Sequence, residues 1–298
     1  MVEKNYTVED VINICNKLSP DGSMLKKSHI YYLLSNILKL ETIKFFTTSE
    51  IKVGERKKKK FFKKFLTYLN GKPLSKILGL REFYSYNFFI DGKTLDPRPE
   101  SELLIDEAIK IVRKRKKKQT NILELGVGSG CLSITLFMEL KKLKLKINLI
   151  GTDIKNNALK VANANKKKFN ISHENFKFIK SNWFLNVRGK FDIIISNPPY
   201  IATKDINLLE KTVTEYDPII AIDGGKDGLE CYRKISRNVC KFLNNNGFLI
   251  LEIGCNQKDF VKEIFEKEKL IFVKCLKDLA FKNRCMIFKK KICWYNLY

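Results

Sequence analysis

The apolar run Ile193, Ile194 and Ile195 ends in Ser196 and then Asn197-Pro198-Pro199-Tyr200. Proline has no backbone N–H to give to a sheet ladder, so a strand here must stop. Beyond the stop lie a carboxamide, two rigid rings and a phenol. The Asn197 side-chain oxygen and the Pro198 backbone carbonyl can both accept hydrogen bonds from an NH₂ group. A planar amide or aromatic amine has a delocalised lone pair and reacts poorly as a nucleophile. Two fixed acceptors orient that nitrogen and offset the positive charge it develops. Tyr200 offers a flat wall for a planar group. A tight turn would use the same residues, so the neighbouring motifs must decide.

Upstream, Glu124-Leu125-Gly126-Val127-Gly128-Ser129-Gly130 includes the end of the strand-like segment 121–125. Glycines at alternate positions let the backbone turn sharply and approach a ligand where a Cβ would clash. The helix starting near Cys131 offers its N-terminal amides and dipole. The third glycine position of the dinucleotide fingerprint G-x-G-x-x-G is occupied by Cys131, so the spacing is G-x-G-x-G. This resembles the S-adenosylmethionine loop of class I methyltransferases. Asp153 ends the strand-like INLIGTD and can accept both hydroxyl hydrogens of a ribose, or simply cap the next helix. Trp183, after the following strand, suits the border of a flat ligand or a core. Together with this loop, the Asn-Pro-Pro-Tyr segment points to transfer of a methyl group to nitrogen.

The elements that must hold these residues alternate along the chain. A helix is expected over 101–114, strands at 121–125, 147–153, 176–179, 191–196 and 247–253, and helices at 131–142, 156–168, 226–243 and 257–268. Two closing strands come after them, LIFVKCL and CMIFKK. Strands joined by helices imply a doubly wound, mostly parallel α/β sheet, with ligands beyond the carboxyl ends of its strands. Residues 1–75 read as a helical domain, with Thr7 as an N-cap and Phe61, Phe62, Phe65, Leu66 and Leu69 on one stripe of a helix among lysines. Such a basic amphipathic helix suits an acidic partner or a membrane, but packing of its aromatic stripe is the expectation. Residues 76–98 read as a β-hairpin linker turning at Asp91-Gly92, with 99–298 as the catalytic domain.

Composition narrows the classes. The chain has 298 residues and a net charge of +25, yet only nine of its 57 basic residues are arginine. Lysine with abundant Ile and Asn fits an A/T-rich coding sequence, so the charge reads as compositional; non-specific contact with RNA is compatible with it but not required. The eight cysteines form no C-x-x-C pair, and His29 and His173 stand apart. No metal site is expected, and reduced thiols point to the cytoplasm. There is no long apolar run and no apolar leader, so neither a membrane span nor a signal peptide is expected.

The segments KPLSKILGLREFYSYNFFID, TLDPRPESE, ELGVGSG, GTD, SNWF, SNPPY and EYDPIIAIDGGKDGLECYRKI together resemble the release-factor glutamine methyltransferases (protein-glutamine N5-methyltransferases). The likeness covers nearly the whole chain, and PRPESE and DGGKDGL separate it from nucleic-acid methylases. It implies a class I methyltransferase sheet of seven strands, S-adenosyl-L-methionine as cofactor and S-adenosyl-L-homocysteine as product. The implied reaction methylates the side-chain amide of the glutamine in the Gly-Gly-Gln motif of class-one peptide chain release factors, and so bears on translation termination. Residue by residue, Glu124, Gly126, Val127, Gly128, Ser129 and Gly130 would line the cofactor. Asp153 would hold its ribose, with Trp183 and Asn197 bordering the same pocket. Asn197, Pro198, Pro199 and Tyr200 would hold the glutamine amide, and Asn197, Pro198 and Tyr200 would carry the chemistry. Arg98 and Glu100 would sit at the rim in a structural role. Asp96 departs from the aliphatic residue many relatives carry, outside the proposed chemistry. The alternative is an N6-adenine methyltransferase acting on RNA or DNA, although no appended nucleic-acid module is recognisable.

Overall fold

A computed structural model describes residues 6–19, 27–47, 51–115, 117, 119–171 and 174–291. His173 and Cys293 lie outside them. The chain divides into two compact units, Met1–Gly79 and Leu80–Tyr298.

The first unit is mainly helical. Strand β1 (Tyr6–Thr7) leads into helices α1 (Val8–Leu18), α2 (Lys27–Leu38) and α3 (Lys44–Thr47); β2 (Lys52–Val53), α4 (Glu55–Leu69) and α5 (Leu74–Leu78) come next. Thr7 caps α1 as expected, in a reciprocal box: the Asp10 amide donates to Thr7 Oγ1 at 3.1 Å, and the Thr7 amide to Asp10 Oδ2 at 2.8 Å. Phe61 and Phe65 of α4 are buried with Val11, Ile30, Leu33 and Leu34 in a small core, while Leu66 is exposed. The aromatic stripe therefore packs, as the periodicity predicts. The all-helical expectation missed the antiparallel pair β1–β2, in which Thr7 faces Lys52. Strands of two residues carry no alternation to read.

The second unit opens with the hairpin β3 (Leu80–Phe83) and β4 (Tyr86–Phe89). Its turn falls at Tyr84-Ser85, not at Asp91-Gly92. Both turn residues are left-handed, with φ of 52° and 63°, as a two-residue I′ turn requires. The neighbours stabilise this turn: the Tyr84 amide donates to Glu102 Oε1 at 2.8 Å and its hydroxyl to Asp106 Oδ1 at 2.9 Å. That register sends Phe83 and Phe88 into the core. Asp91 instead forms a separate turn after β4, accepting from the Lys93 amide at 2.8 Å. The stretch read as a linker is thus divided, with α5 in the first unit and the hairpin built into the second.

The sheet is made by β5 (Gln119–Leu125), β6 (Lys146–Asp153), β7 (Phe176–Lys180), β8 (Phe191–Ser196), β9 (Leu243–Glu252), β10 (Leu270–Lys277) and β11 (Asn283–Lys290). Helix α6 (Glu102–Arg115) precedes it; α7 (Cys131–Lys142), α8 (Asn156–Lys168), α9 (Lys211–Thr214), α10 (Glu230–Phe242) and α11 (Lys258–Glu266) connect its strands. The spatial order is β7-β6-β5-β8-β9-β11-β10, parallel except where β11 pairs with β9 and β10. Ile193 and Ile195 face one core beside α6 and α7; Ile194 and Leu249 face the other beside α10 and α11. Both faces are covered, which is why these strands read as continuous apolar runs.

From β5 the chain winds outward through β6 and β7, then returns to lay β8 on the other side of β5. This reversal opens a crevice beyond the carboxyl ends of β5 and β8. The glycine turn leaves β5 there, and Asn197-Pro198-Pro199-Tyr200 leaves β8.

Candidate active site

The turn after β5 is pinned to its neighbour: the amides of Gly126 and Val127 donate to the Thr152 carbonyl at 2.8 and 2.9 Å. Gly126, Gly128 and Gly130 have φ of 78°, 53° and 80°, the left-handed region that favours glycine. A Cβ at Gly126 or Gly128 would meet no protein atom within 4 Å and would project into open space. Gly130 has a different reason: its Cβ would lie 3.1 Å from Ala162 Cβ on α8.

That open space is a cavity of about 340 Å³ lined by Gly126, Gly128, Asp153, Trp183, Asn197 and Pro199, among others. Asp153 Oδ2 accepts from the Gly128 amide at 3.0 Å and Oδ1 from the Lys155 amide at 2.8 Å, so the carboxylate is fixed in direction with lone pairs to spare. Burial raises its pKa. Trp183 has φ of 50°, a costly backbone conformation for a bulky residue. Its carbonyl accepts from Ser181 Oγ at 2.8 Å, which anchors the turn.

Glu124, Val127, Ser129 and Gly130, expected along the cofactor, are not among the residues lining this cavity. Glu124 is buried and turned toward α7, where its Oε2 accepts from both the amide (2.9 Å) and the hydroxyl of Ser133. Val127 packs with Leu159 and Ala162, and the Ser129 carbonyl accepts from Asn165 Nδ2 at 2.9 Å. They hold the turn from behind.

A second cavity, of about 230 Å³, lies against the first. Leu95, Asn197, Pro199 and Ala221 line both; Arg98, Glu100, Pro198, Tyr200, Glu252 and Arg284 belong to the second. Asn197 and Pro199 thus form a shared wall. Asn197 Nδ2 donates to Ser101 Oγ at 3.1 Å, leaving its oxygen available. Ser101 in turn donates to Glu252 Oε2, and the Tyr200 hydroxyl donates to Glu252 Oε1 at 3.2 Å. Burial pushes Glu252 up to about 7 and the Tyr200 phenol well above its ordinary range.

The segments around this pair of cavities are tied together by direct contacts. Arg98 pairs with Asp217 at 2.8 Å, which ties PRPE to EYDP. The Ile201 amide donates to the Ile222 carbonyl at 3.0 Å, and the Gly224 amide to the Ile201 carbonyl at 2.7 Å. Gln257 Nε2 closes the loop, donating to Tyr200 O at 2.8 Å and Gly228 O at 3.2 Å. Sequence reasoning assigned no part to Ser101 or Glu252. Glu252 carried a readable signal, a carboxylate at the carboxyl end of the buried strand GFLILE. Ser101 lies inside PRPESE and had none of its own.

The residues of the first cavity fit S-adenosylmethionine: two glycine positions that a Cβ would fill, a directed carboxylate and an indole. Among the described residues there is no cluster of metal-binding side chains, and no helix is long and apolar enough to cross a membrane.

A family model described as a methyltransferase domain matches residues 116–291. Sheet order, glycine turn and this match define an S-adenosylmethionine-dependent methyltransferase of class I. A release factor glutamine methyltransferase of Agrobacterium fabrum is 36% identical over 74% of this chain and 75% of its own. One of Fusobacterium nucleatum is 35% identical over 97% of this chain and 82% of its own. A bifunctional methyltransferase of Rickettsia typhi is 34% identical over 87% of this chain, which spans 53% of that protein's length. The chain belongs to the release factor glutamine methyltransferase family.

Proposed function

We infer that the enzyme methylates the side-chain amide nitrogen of the glutamine in the Gly-Gly-Gln motif of class-one peptide chain release factors. The observation that carries this reading is the shared wall, with Asn197 held by Ser101 so that its oxygen is the free end. When bound, S-adenosylmethionine supplies an electrophilic methyl group. Gly126 and Gly128 form the wall against which it would lie, Asp153 would accept from its ribose, and Trp183 would border it. From the other side, Asn197 Oδ1 and the Pro198 carbonyl accept the two N–H bonds of the glutamine amide. Held this way, the nitrogen points along its lone-pair direction, and the charge it gains is stabilised where it develops. The surplus proton leaves after transfer, so no strong base is needed. Tyr200 packs on the planar amide.

The test compares wild type with Asn197→Ala on a release factor, following methyl label and, by calorimetry, cofactor affinity. Loss of one positioned acceptor lowers kcat by about 10²–10³, with cofactor affinity within about twofold. Undiminished turnover in the variant contradicts the role. Label that enters RNA or DNA and never the protein contradicts the substrate and favours the adenine alternative.

A further inference from the structure

Glu252, Ser101, Tyr200 and Asn197 form one hydrogen-bonded chain from a buried carboxyl group to the shared wall of the two cavities. Its direction is set by what each group can donate. A carboxylate only accepts, so Glu252 takes the hydroxyl hydrogens of both Ser101 and Tyr200. Ser101 Oγ then has only lone pairs left for Asn197, and the end of a carboxamide that satisfies a lone pair is NH₂. The oxygen is thereby turned outward.

We propose that Glu252 is a positioning residue of the reaction: as a carboxylate it sets, through Ser101, which end of the Asn197 amide faces the substrate. This rests on the reading of Asn197 as acceptor for the substrate amide. When Glu252 gains a proton on Oε2, the oxygen that faces Ser101, it becomes a donor to Ser101. Ser101 then turns its hydrogen to Asn197, and the carboxamide flips its oxygen inward. The NH₂ end would then meet the substrate NH₂, donor against donor.

The groups around Glu252 come from every element packed on it. Ser101 and Glu100 precede α6, Tyr200 comes after β8, and Arg284 lies on β11; the Tyr232 hydroxyl of α10 donates to the Glu252 carbonyl at 3.1 Å. Arg284 and the two hydroxyls favour the carboxylate, whereas Glu100 and above all burial oppose it, and the balance leaves the group at about 7. The switch therefore lies within the range an enzyme experiences. The productive orientation belongs to the higher-pH side.

The experiment follows the Asn197 side-chain amide by ¹H–¹⁵N NMR, and in parallel kcat on a release factor, from about pH 5 to about pH 9. The variants are Glu252→Gln and Ser101→Ala, the second removing one hydroxyl without disturbing the strand. The amide resonance of wild type is expected to move through one transition near neutrality. kcat should fall on the acid side of that transition. In both variants the amide transition disappears and kcat drops by about tenfold to a hundredfold, while cofactor affinity holds. An Asn197 resonance that is flat with pH in wild type, or a transition that survives in Ser101→Ala, overturns the proposal. If wild type shows a relay-dependent transition but methylates no release factor, the substrate reading falls and the positioning role stands.

Discussion

Glu124 and Asp192 are both buried acidic side chains in adjacent parallel strands, and their surroundings treat them oppositely. Burial pushes Glu124 up to about 8, against the two bonds from Ser133. Burial also acts on Asp192, but Lys117 at 2.6 Å, the Asn121 amide at 3.0 Å, Asn244 at 3.0 Å and Arg115 at 3.1 Å outweigh it and lower its pKa. The consequences for stability have opposite signs. Glu124 holds its proton more tightly when folded, so its contribution is complete below the unfolded value of about 4.5 and is lost as pH rises through about 8. Asp192 contributes above the unfolded value of about 3.8, and that contribution is lost on acidification. Urea denaturation of Glu124→Gln should show higher stability than wild type at pH near 8, with the gap closing toward acid. A gap that does not change with pH would show that Glu124 is ionised in the fold. The family resemblance implied that Glu124 lies along the cofactor. Strand alternation hides the fact that its side chain turns back to the next helix.

At the scale of elements, the end of β8 and the loop before α10 act as one unit. Gly228 has φ of 76°, and a Cβ there would lie 2.5 Å from the Tyr200 carbonyl oxygen. Gly228→Ala should therefore displace Tyr200 from the wall. The left-handed backbone alone costs about 1–2 kcal/mol, and misplacing the substrate wall costs on the order of 10² in kcat. Unfolding by urea and release-factor turnover measure the two losses separately; a variant with wild-type values in both would mean that the loop does not hold Tyr200. Much of this region was legible. Two prolines fix where β8 stops, whereas DGGKDGL stood out only through the family resemblance, and the close approach of its glycines to Tyr200 came with the structure. The same segment also misled: the helix expected from 226 begins only at Glu230, because Gly225 and Gly228 are left-handed. The hairpin turn was misread for a related reason. Asp-Gly is the stronger local signal, yet tertiary bonds to Glu102 and Asp106 make Tyr84-Ser85 the turn.

Over the whole molecule, alternating helix and strand periods made the doubly wound sheet readable, and the reversal between β5 and β8 placed both motifs at one crevice. The chain of bonds from Glu252 through Ser101 to Asn197 was not readable, since it joins residues 151 and 96 positions apart. Nothing in local periodicity reports such a meeting. The surplus of lysine gives the chain a net charge of +25 and so a basic field toward any acidic partner. What matters most is whether this sheet delivers a methyl group to one glutamine. Peptide mapping by mass spectrometry of a class-one release factor, incubated with the enzyme and S-adenosylmethionine, decides that question. The expected product carries a single added methyl group on the side-chain nitrogen of the Gly-Gly-Gln glutamine, and none when that glutamine is replaced by alanine. Methylation elsewhere in the factor, or a factor left unmodified while another substrate is consumed, would refute it.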